Sequence, residues 1–176
     1  ETGESMSDQQ LRDELMTLFV AGHETTVLAI SWTVYLLTKH PKAISKIRTE
    51  ADDVLGGATP RFSDLPNLVY LTNVINEGMR LYPPVFVIGR KALYADMVGD
   101  YRVPAGHNVG VNIYGMHRHP EFWEKPNEFM PERFENFDLK GDNRFLFLPF
   151  GGGPRICIGN NFAMMEMQII ISMLIQ

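Results

Sequence analysis

One cysteine, Cys157, lies in a glycine-rich stretch, residues 150–159, that enters a helix. Free backbone N–H groups and the positive end of the helix dipole favour the thiolate form of a cysteine at a helix start, and Arg155 adds positive charge. The stretch lacks the Gly-Lys-Ser/Thr ending of a phosphate-binding loop and the spacing of a dinucleotide-binding turn. An unpaired cysteine is commonly a buried structural residue. Glycines that allow close approach, with amides near the sulfur, fit a metal-bound thiolate better.

A group of polar residues, 21–26, lies at the middle of a long apolar helix. One interpretation is structural, with hydroxyls bonded to carbonyls one turn earlier and Glu24 paired with a cation. The other is chemical, because Gly22 allows the helix to open locally, and a carboxylic acid beside the Thr25 hydroxyl can relay protons into a dry cavity. The residues alone leave both interpretations open.

Two further charged motifs occur later in the chain. Glu77 and Arg80 have the i, i+3 spacing of an ion pair on one helix face, which at an exposed site contributes only about 0.2–0.5 kcal/mol. Residues 131–134, which include Arg133, are by themselves typical of a solvated turn. Neither motif alone indicates a function.

The elements that must position these residues are mostly helical. A capping box of Ser7 and Gln10 begins a helix that runs to Lys39, and its apolar residues surround the axis, which predicts burial on most sides. Pro41 fits the start of a second helix, which ends near Gly56. Further along we predict a helix over 68–81, strands over 85–92 and 103–113, an irregular ordered segment over 119–149, and a last helix from about residue 158.

Composition narrows the classes of protein that remain. The chain has 176 residues, 45% of them hydrophobic, and 16 basic against 21 acidic side chains give a net charge of -5. Mild acidity without a dense Lys/Arg tract argues against a nucleic-acid partner, and a single cysteine excludes a disulfide framework. Because no run of about 18 apolar residues is free of charge, we expect no membrane span. The start without Met and the end inside a helical stretch indicate a fragment.

The four motifs occur together, in this order and spacing, in the cytochrome P450 haem-thiolate monooxygenases, which the chain resembles from about Ser7 to its end. Residues 150–159 match the haem-binding signature of that family at every defined position. Residues 21–26 resemble its oxygen-binding motif, and Glu77, Arg80 and Arg133 resemble its buried structural charge network. The resemblance implies a mainly α fold with a small β component. Residues 1–176 are then the C-terminal part of one cytochrome P450 domain, without its N-terminal half and extreme C-terminus.

The same resemblance implies a role for each residue of a haem site. Cys157 would be the axial metal ligand of haem b (heme b, iron protoporphyrin IX) and would donate electron density to the iron. Arg155 and Arg90 would pair with the haem propionates, while Thr25 and Glu24 would be the catalytic residues that deliver protons during dioxygen activation. The other residues implied to contact the haem are Phe150, Gly151, Ile158, Gly159 and Ala163 on the thiolate side, and Ala21 and Gly22 on the distal helix.

The implied activity is oxidation of a hydrophobic small molecule with dioxygen, using electrons from NAD(P)H through a ferredoxin or flavin reductase. Residues 19–21 and 85–88 would contact the substrate. Two alternatives stay open, a haem-thiolate peroxide isomerase or peroxygenase of the same fold and a non-catalytic haem-binding module. The missing disulfides and the immediate start of the first helix at residues 7–10 favour a cytoplasmic protein.

Overall fold

The computed structural model describes residues 5–138 and 141–176. Residues 139 and 140, which belong to the irregular segment predicted over 119–149, lie outside the described residues, as do residues 1–4. The described chain is mainly helical with two small antiparallel sheets, as expected. The helices are α1 (Asp8–Lys39), α2 (Pro41–Leu55), α3 (Val69–Leu81), α4 (Ile113–Met116) and α5 (Asn160–Ile175).

Local signals set the helix ends where the sequence predicts them. The Ser7 hydroxyl accepts from the Gln10 N–H, and the Gln10 side chain accepts from the Ser7 N–H, which is the predicted capping box. Pro41 takes the first turn of α2, where its missing N–H has no intrahelical partner to lose. Gly56 ends α2 with a φ of 56°, a left-handed conformation that glycine adopts without steric penalty.

Two antiparallel strand pairs follow α3. β1 (Val87–Lys91) pairs with β4 (Asn108–Asn112), and β2 (Asp96–Val98) pairs with β3 (Tyr101–Val103). The β2–β3 hairpin was not predicted, although Gly99 and Asp100 have the composition of a two-residue hairpin turn. The strand predicted over 103–113 begins later, because residues 104–107 form the turn between β3 and β4.

The hydrophobic core lies around α3. Leu71 and Val74 of α3 are fully buried with Ile47 of α2 and Ile171 of α5. Trp123 extends this core into the irregular segment, where its ring stacks with the ring of Phe137. Each large apolar side chain removed from water in this way contributes about 1.5–3 kcal/mol.

Residues 8–24 of α1 are all exposed within the described part of the chain, so the enclosure predicted for α1 is not observed there. The buried side chains of α1 are Thr26, Ala29, Thr33, Leu36 and Leu37, all in its C-terminal half. Within the described part of the chain, α2, α3 and α5 pack against that half. Apolar side chains of the first half, such as Leu18 and Phe19, therefore remain exposed.

By length and composition, α1 is also apolar enough to cross a membrane. The sequence led to the opposite expectation because Glu24 interrupts the apolar run, although one charged residue leaves a helix of this length apolar enough to span. The core helix of a soluble protein can have the same length and composition. The absence of a membrane span therefore stays a prediction.

Gly78 sets the distance between α1 and α3. A Cβ at Gly78 would overlap the Thr33 hydroxyl and lie 3.3 Å from the Thr33 Cβ. Thr33 is fully buried, and its hydroxyl donates to the Ala29 carbonyl at 2.8 Å. The threonine therefore cannot move aside without losing that hydrogen bond.

Glu77 and Arg80 are fully buried, so their pair is not the exposed one that the spacing alone suggested. Arg80 donates to both carboxylate oxygens of Glu77, at 2.7 and 2.9 Å. The Arg133 Nε donates to Glu77 Oε1 at 3.0 Å, and the Met130 N–H donates to the same oxygen at 2.9 Å. The structure thus confirms that Arg133 joins the pair, and one carboxylate faces two guanidinium groups.

Backbone carbonyls of the irregular segment accept the remaining guanidinium protons. The carbonyls that accept from Arg80 are those of His117, Pro126 and Glu128, at 2.7, 2.7 and 3.2 Å. Arg133 donates to the Glu124 carbonyl at 3.0 Å, and the Trp123 ring lies 5.1 Å from the Arg80 guanidinium carbon. Although the segment has few regular elements, these contacts give its backbone a defined path.

Replacing Glu77 with Gln is expected to destabilise the protein strongly. The amide keeps the shape of the carboxylate but leaves two guanidinium groups without a counter-charge, which should lower the free energy of unfolding by about 3–5 kcal/mol. Urea unfolding followed by circular dichroism measures this loss. Glu132→Gln is the matched control, because Glu132 forms an exposed ion pair with Lys46 and should lose at most about 1 kcal/mol. If both variants lost the same free energy of unfolding, the loss in Glu77→Gln could not be attributed to unpaired buried charges.

Gly78→Ala is expected to lower the free energy of unfolding by about 1–3 kcal/mol, because the added methyl group overlaps Thr33. Gly22→Ala is the matched helical control, since no atom lies within 4 Å of a Cβ there. Helix propensity alone should stabilise that variant by up to about 1 kcal/mol. The two urea midpoints should move in opposite directions, and an unchanged or raised midpoint for Gly78→Ala would show that the helix crossing tolerates a methyl group.

Candidate functional site

The loop that carries Cys157 folds back on itself before α5 begins. Gly151 and Gly153 have φ values of 74° and 72°, in the left-handed region that favours glycine. A 3₁₀ turn spans Gly153–Arg155, and the Cys157 N–H then donates to the Phe150 carbonyl at 3.0 Å. The thiol is exposed, three residues before the first residue of α5. This is the predicted position of a thiol at a helix start.

Glycines also let the loop approach its neighbours closely. A Cβ at Gly151 would lie 3.3 Å from the Ile88 Cδ1 atom, and one at Gly152 would lie 3.3 Å from the Leu148 Cδ2 atom. Because Ile88 belongs to β1, the contact at Gly151 brings the thiol loop against the sheet. The loop and the residues implied to contact substrate, 85–88, are therefore neighbours.

The surface next to Cys157 is apolar. Ile158 is 93% exposed and Phe162 is 63% exposed, although both side chains are strongly hydrophobic. Phe150 and Ala163 are half-buried and pack against the hydrophobic core. A Cβ at Gly159 would lie 3.8 Å from the Cys157 Sγ, so the sulfur lies against backbone there.

Two arginines predicted to bind acidic groups, Arg90 and Arg155, are both exposed. Arg90 is in β1, and its Nη1 donates to the Gly89 carbonyl at 2.9 Å. Across residues 5–138 and 141–176, no carboxylate lies within ion-pair distance of either guanidinium. Both charges are therefore available to an anionic group from outside this part of the chain.

The polar residues of α1 lie in unbroken helix, so the local opening that Gly22 would allow is absent here. The Thr25 hydroxyl donates to the Ala21 carbonyl at 2.7 Å, as the structural interpretation of this motif proposed. Thr17 makes the equivalent bond to the Asp13 carbonyl at 2.8 Å. A threonine hydroxyl bonded to the carbonyl four residues earlier has a hydrogen-bond partner within the helix, so the helix need not open to satisfy it.

Glu24 is exposed, and among the described residues no cation pairs with it. The helix that carries it packs against α5, which follows the thiol loop. The predicted proton-delivering residues and the predicted ligand therefore belong to adjacent elements.

A cavity of about 610 Å³ lies beside the thiol loop. Its walls include Phe145, Phe147 and Phe150, with Asn76 of α3 and Met164 of α5. Neither Cys157 nor Ala163 lines it. The exposed thiol therefore faces a surface other than this cavity.

The sequence interpretation missed His117, which is fully buried between α3 and the segment before the thiol loop. Its Nε2 accepts from the Leu148 N–H at 2.8 Å, and its carbonyl accepts from Arg80 at 2.7 Å. Burial, followed by the charge of Arg80, lowers the pKa of His117 to about 4. A histidine in an otherwise irregular segment gives no sequence signal for such a contact.

Comparison with known proteins identifies related sequences along the whole chain. The model of the family described as Cytochrome P450 matches residues 1–176. Carotene epsilon-monooxygenase, chloroplastic, of Arabidopsis thaliana is 44% identical over 98% of this chain and 33% of its own length. Protein LUTEIN DEFICIENT 5, chloroplastic, of the same plant is 41% identical over 99% of this chain and 30% of its own length. Cyclooctatin synthase of Streptomyces melanosporofaciens is 40% identical over 98% of this chain and 38% of its own length.

The chain spans about a third of the length of these relatives. The family match nevertheless includes the thiol loop, the polar residues of α1 and the buried pair of Glu77 and Arg80. With the match covering every residue, the chain belongs to the cytochrome P450 family.

Proposed function

We propose that this chain is the haem-binding part of a monooxygenase that uses dioxygen to oxidise a hydrophobic organic molecule. The observation that supports this most directly is the exposed Cys157 thiol in a glycine-rich loop at the start of α5. Electrons would come from NAD(P)H through a separate ferredoxin or flavin reductase. One relative is itself named a monooxygenase.

The residues around Cys157 fit a haem. A thiolate is a ligand of haem iron, and the exposed apolar surface of Ile158 and Phe162 suits a porphyrin ring. The exposed guanidinium groups of Arg90 and Arg155 suit its carboxylates. When bound, the haem supplies the redox chemistry of dioxygen activation.

The contribution of the protein begins at the sulfur of Cys157. The first N–H groups of α5 have no intrahelical partner, and their positive end of the helix dipole stabilises negative charge on a nearby thiolate. The backbone amides that follow Cys157 would donate to the sulfur and adjust its electron density. The loop therefore holds the ligand and also sets how strongly it donates.

Thr25 and Glu24 would hold and move protons on the opposite helix. The Thr25 hydroxyl donates its proton to the Ala21 carbonyl, which leaves lone pairs on Oγ1 free to accept a proton. The Glu24 carboxyl is exposed and can exchange protons with solvent. Passing a proton onward requires the Thr25 hydroxyl to rotate away from Ala21, which costs one hydrogen bond of about 0.5–1.5 kcal/mol.

The principal alternative is a haem-thiolate enzyme that isomerises or uses peroxides, which needs no proton relay. The carboxyl of Glu24 beside the Thr25 hydroxyl argues against it. Turnover with a peroxide, but none with dioxygen and a reductase, would establish that alternative.

The substrate would be strongly apolar. The segments implied to contact it, residues 19–21 and 85–88, carry exposed apolar side chains that include Phe19, Val85 and Phe86. Ligand sites lined mainly by such side chains bind hydrophobic molecules. Carotene, which appears in the name of one relative, is a molecule of this kind. We therefore propose a large hydrocarbon as the substrate class.

The cytoplasmic localisation expected from the sequence has no support from the relatives. The two Arabidopsis thaliana proteins are named chloroplastic, whereas the name of the Streptomyces protein states no compartment. A plastid is therefore the compartment that the relatives favour.

Cys157→His is expected to abolish thiolate ligation. After reduction under carbon monoxide, the haem-loaded variant should lack the absorption band near the Soret region that characterises a thiolate ligand, because imidazole replaces the sulfur. Ile156→Val is the matched control, since this neighbouring side chain is exposed and its change should leave the band intact. Persistence of the band in Cys157→His would exclude Cys157 as the ligand.

Thr25→Ala is expected to uncouple electron consumption from product formation. Without the hydroxyl, the product formed per NAD(P)H consumed should fall about tenfold or more, because proton delivery by a positioned group is lost. Thr17→Ala loses the equivalent hydroxyl bond two turns away and should leave this ratio unchanged. An unchanged ratio in Thr25→Ala would contradict the proton-delivering role, and no turnover in the unaltered protein would favour the non-catalytic module.

A further inference from the structure

His117 connects the buried charge network to the segment that leads into the thiol loop. Its backbone carbonyl accepts from Arg80 Nη1 at 2.7 Å, which ties it to the network. Its ring Nε2 accepts from the Leu148 N–H at 2.8 Å, across 31 residues of sequence. The ring is fully buried and lies 5.1 Å from the ring of Phe147. One residue therefore contacts both parts, through two different groups.

Backbone hydrogen bonds continue from Leu148 to the thiol. The Leu148 carbonyl accepts from the Gly151 N–H at 3.1 Å, and the Phe150 carbonyl accepts from the Cys157 N–H at 3.0 Å. Leu148 also lies against Gly152, where a Cβ would be 3.3 Å from its side chain. Leu148 therefore contacts the start of the loop at two glycines, and the loop then closes through the hydrogen bond between Cys157 and Phe150.

We propose that His117 is a positioning residue for the Cys157 loop, acting through the Leu148 N–H. The proposal rests on the proposed function only for what the loop holds, because the hydrogen bond itself exists without a haem. If His117 only filled space in the core, the protein would need no hydrogen-bond acceptor at Nε2. The hydrogen bond from the Leu148 N–H to Nε2 therefore distinguishes a positioning role from simple packing.

The acceptor role fixes the protonation of the ring. Since Nε2 accepts, the neutral imidazole carries its proton on Nδ1, and that atom has no hydrogen-bond partner among the described residues. The charged groups that act on the ring are Arg80 from α3 and Arg118, next to His117 in the chain, while Glu77 and Arg133 belong to the same network as Arg80. Leu148 approaches the ring only with its backbone.

These surroundings keep His117 neutral over most of the pH range. Burial, then the charge of Arg80, lowers its pKa to about 4, below the ordinary histidine value of 6.5. Because the folded pKa lies below the unfolded one, the stability it contributes is complete above about pH 6.5 and declines as pH falls toward 4. Protonation of Nε2 would also remove the acceptor for the Leu148 N–H.

The test compares His117→Asn with His117→Gln in the haem-loaded protein. The Gln Oε1 extends about as far as the histidine Nε2 and can accept from Leu148, whereas the Asn side chain is too short. Hydrogen exchange at the Leu148 amide should quicken about tenfold in His117→Asn and remain near the unaltered rate in His117→Gln. His119→Gln, an exposed neighbour, is the control for changing a histidine in this segment.

The second measurement is the thiolate absorption band after reduction under carbon monoxide, recorded as pH is lowered. The unaltered protein should lose the band as pH approaches about 4, and His117→Asn should lose it at a higher pH. His117→Gln, which cannot titrate, should keep the band to a lower pH than the unaltered protein does.

Three results would overturn the proposal. They are unchanged Leu148 exchange in His117→Asn, equal loss of protection in both variants, and a pH profile of the band that the variants leave unmoved. If His117→Asn fails to fold, loss of Leu148 protection near pH 4 in the unaltered protein, before global unfolding, supports the proposal, and retained protection overturns it. A missing band in the unaltered protein would refute the ligand role of Cys157, while Leu148 exchange would still test the hydrogen bond.

Discussion

A carboxylate removed from water is costly unless it is paired and hydrogen-bonded, and Glu77 meets that condition with donors from three residues. Arg80 comes from its own helix, and Arg133 and the Met130 N–H come from a segment more than fifty residues later. Each guanidinium group in turn needs acceptors, which the carbonyls of the same segment supply. The backbone conformation of the segment between α4 and the thiol loop is therefore constrained by these buried charges and their hydrogen bonds.

The order imposed by these charges extends to the candidate site. The irregular segment begins beside His117 and leads to Leu148, which precedes the glycine-rich loop. On the other side, Gly78 brings α3 against α1 at Thr33, two turns after Thr25. α3 therefore contacts α1 through Gly78, and through its buried charges it contacts the segment that leads to the thiol loop. Two neighbouring residues of α3 therefore act on different parts of the site. Glu77 holds the segment that leads to the thiol loop, and Gly78 allows close packing against α1.

Features set by neighbouring residues could be predicted from the sequence, and features set by distant ones could not. The start of α1 at Ser7, the start of α2 at Pro41 and its end at Gly56 follow from side-chain and backbone preferences within one turn. The burial of Glu77 does not, because i, i+3 spacing is the same on an exposed helix and in a core. Only the resemblance to a family grouped Glu77 with Arg133.

The differences between expectation and structure also arise where distant parts of the chain decide the outcome. Apolar residues all around α1 predicted enclosure, yet burial depends on what packs there, and within the described residues that is only the second half of the helix. Gly22 allows a helix to open but does not force it to, and the helical hydrogen bonds persist. The hydrogen bond between His117 and Leu148 joins a side chain to a backbone group, so the identity of Leu148 leaves no trace of it.

Arg80 and Arg133 bind the irregular segment mainly through its carbonyl oxygens, at Glu124, Pro126 and Glu128, rather than through its side chains. Every amino acid offers the same carbonyl, so the side chains at these positions can vary widely while the network stays intact. The length of the segment has no such freedom, because one added or removed residue would shift all the acceptors at once. Evolution along this segment should therefore accept substitutions readily and reject insertions and deletions.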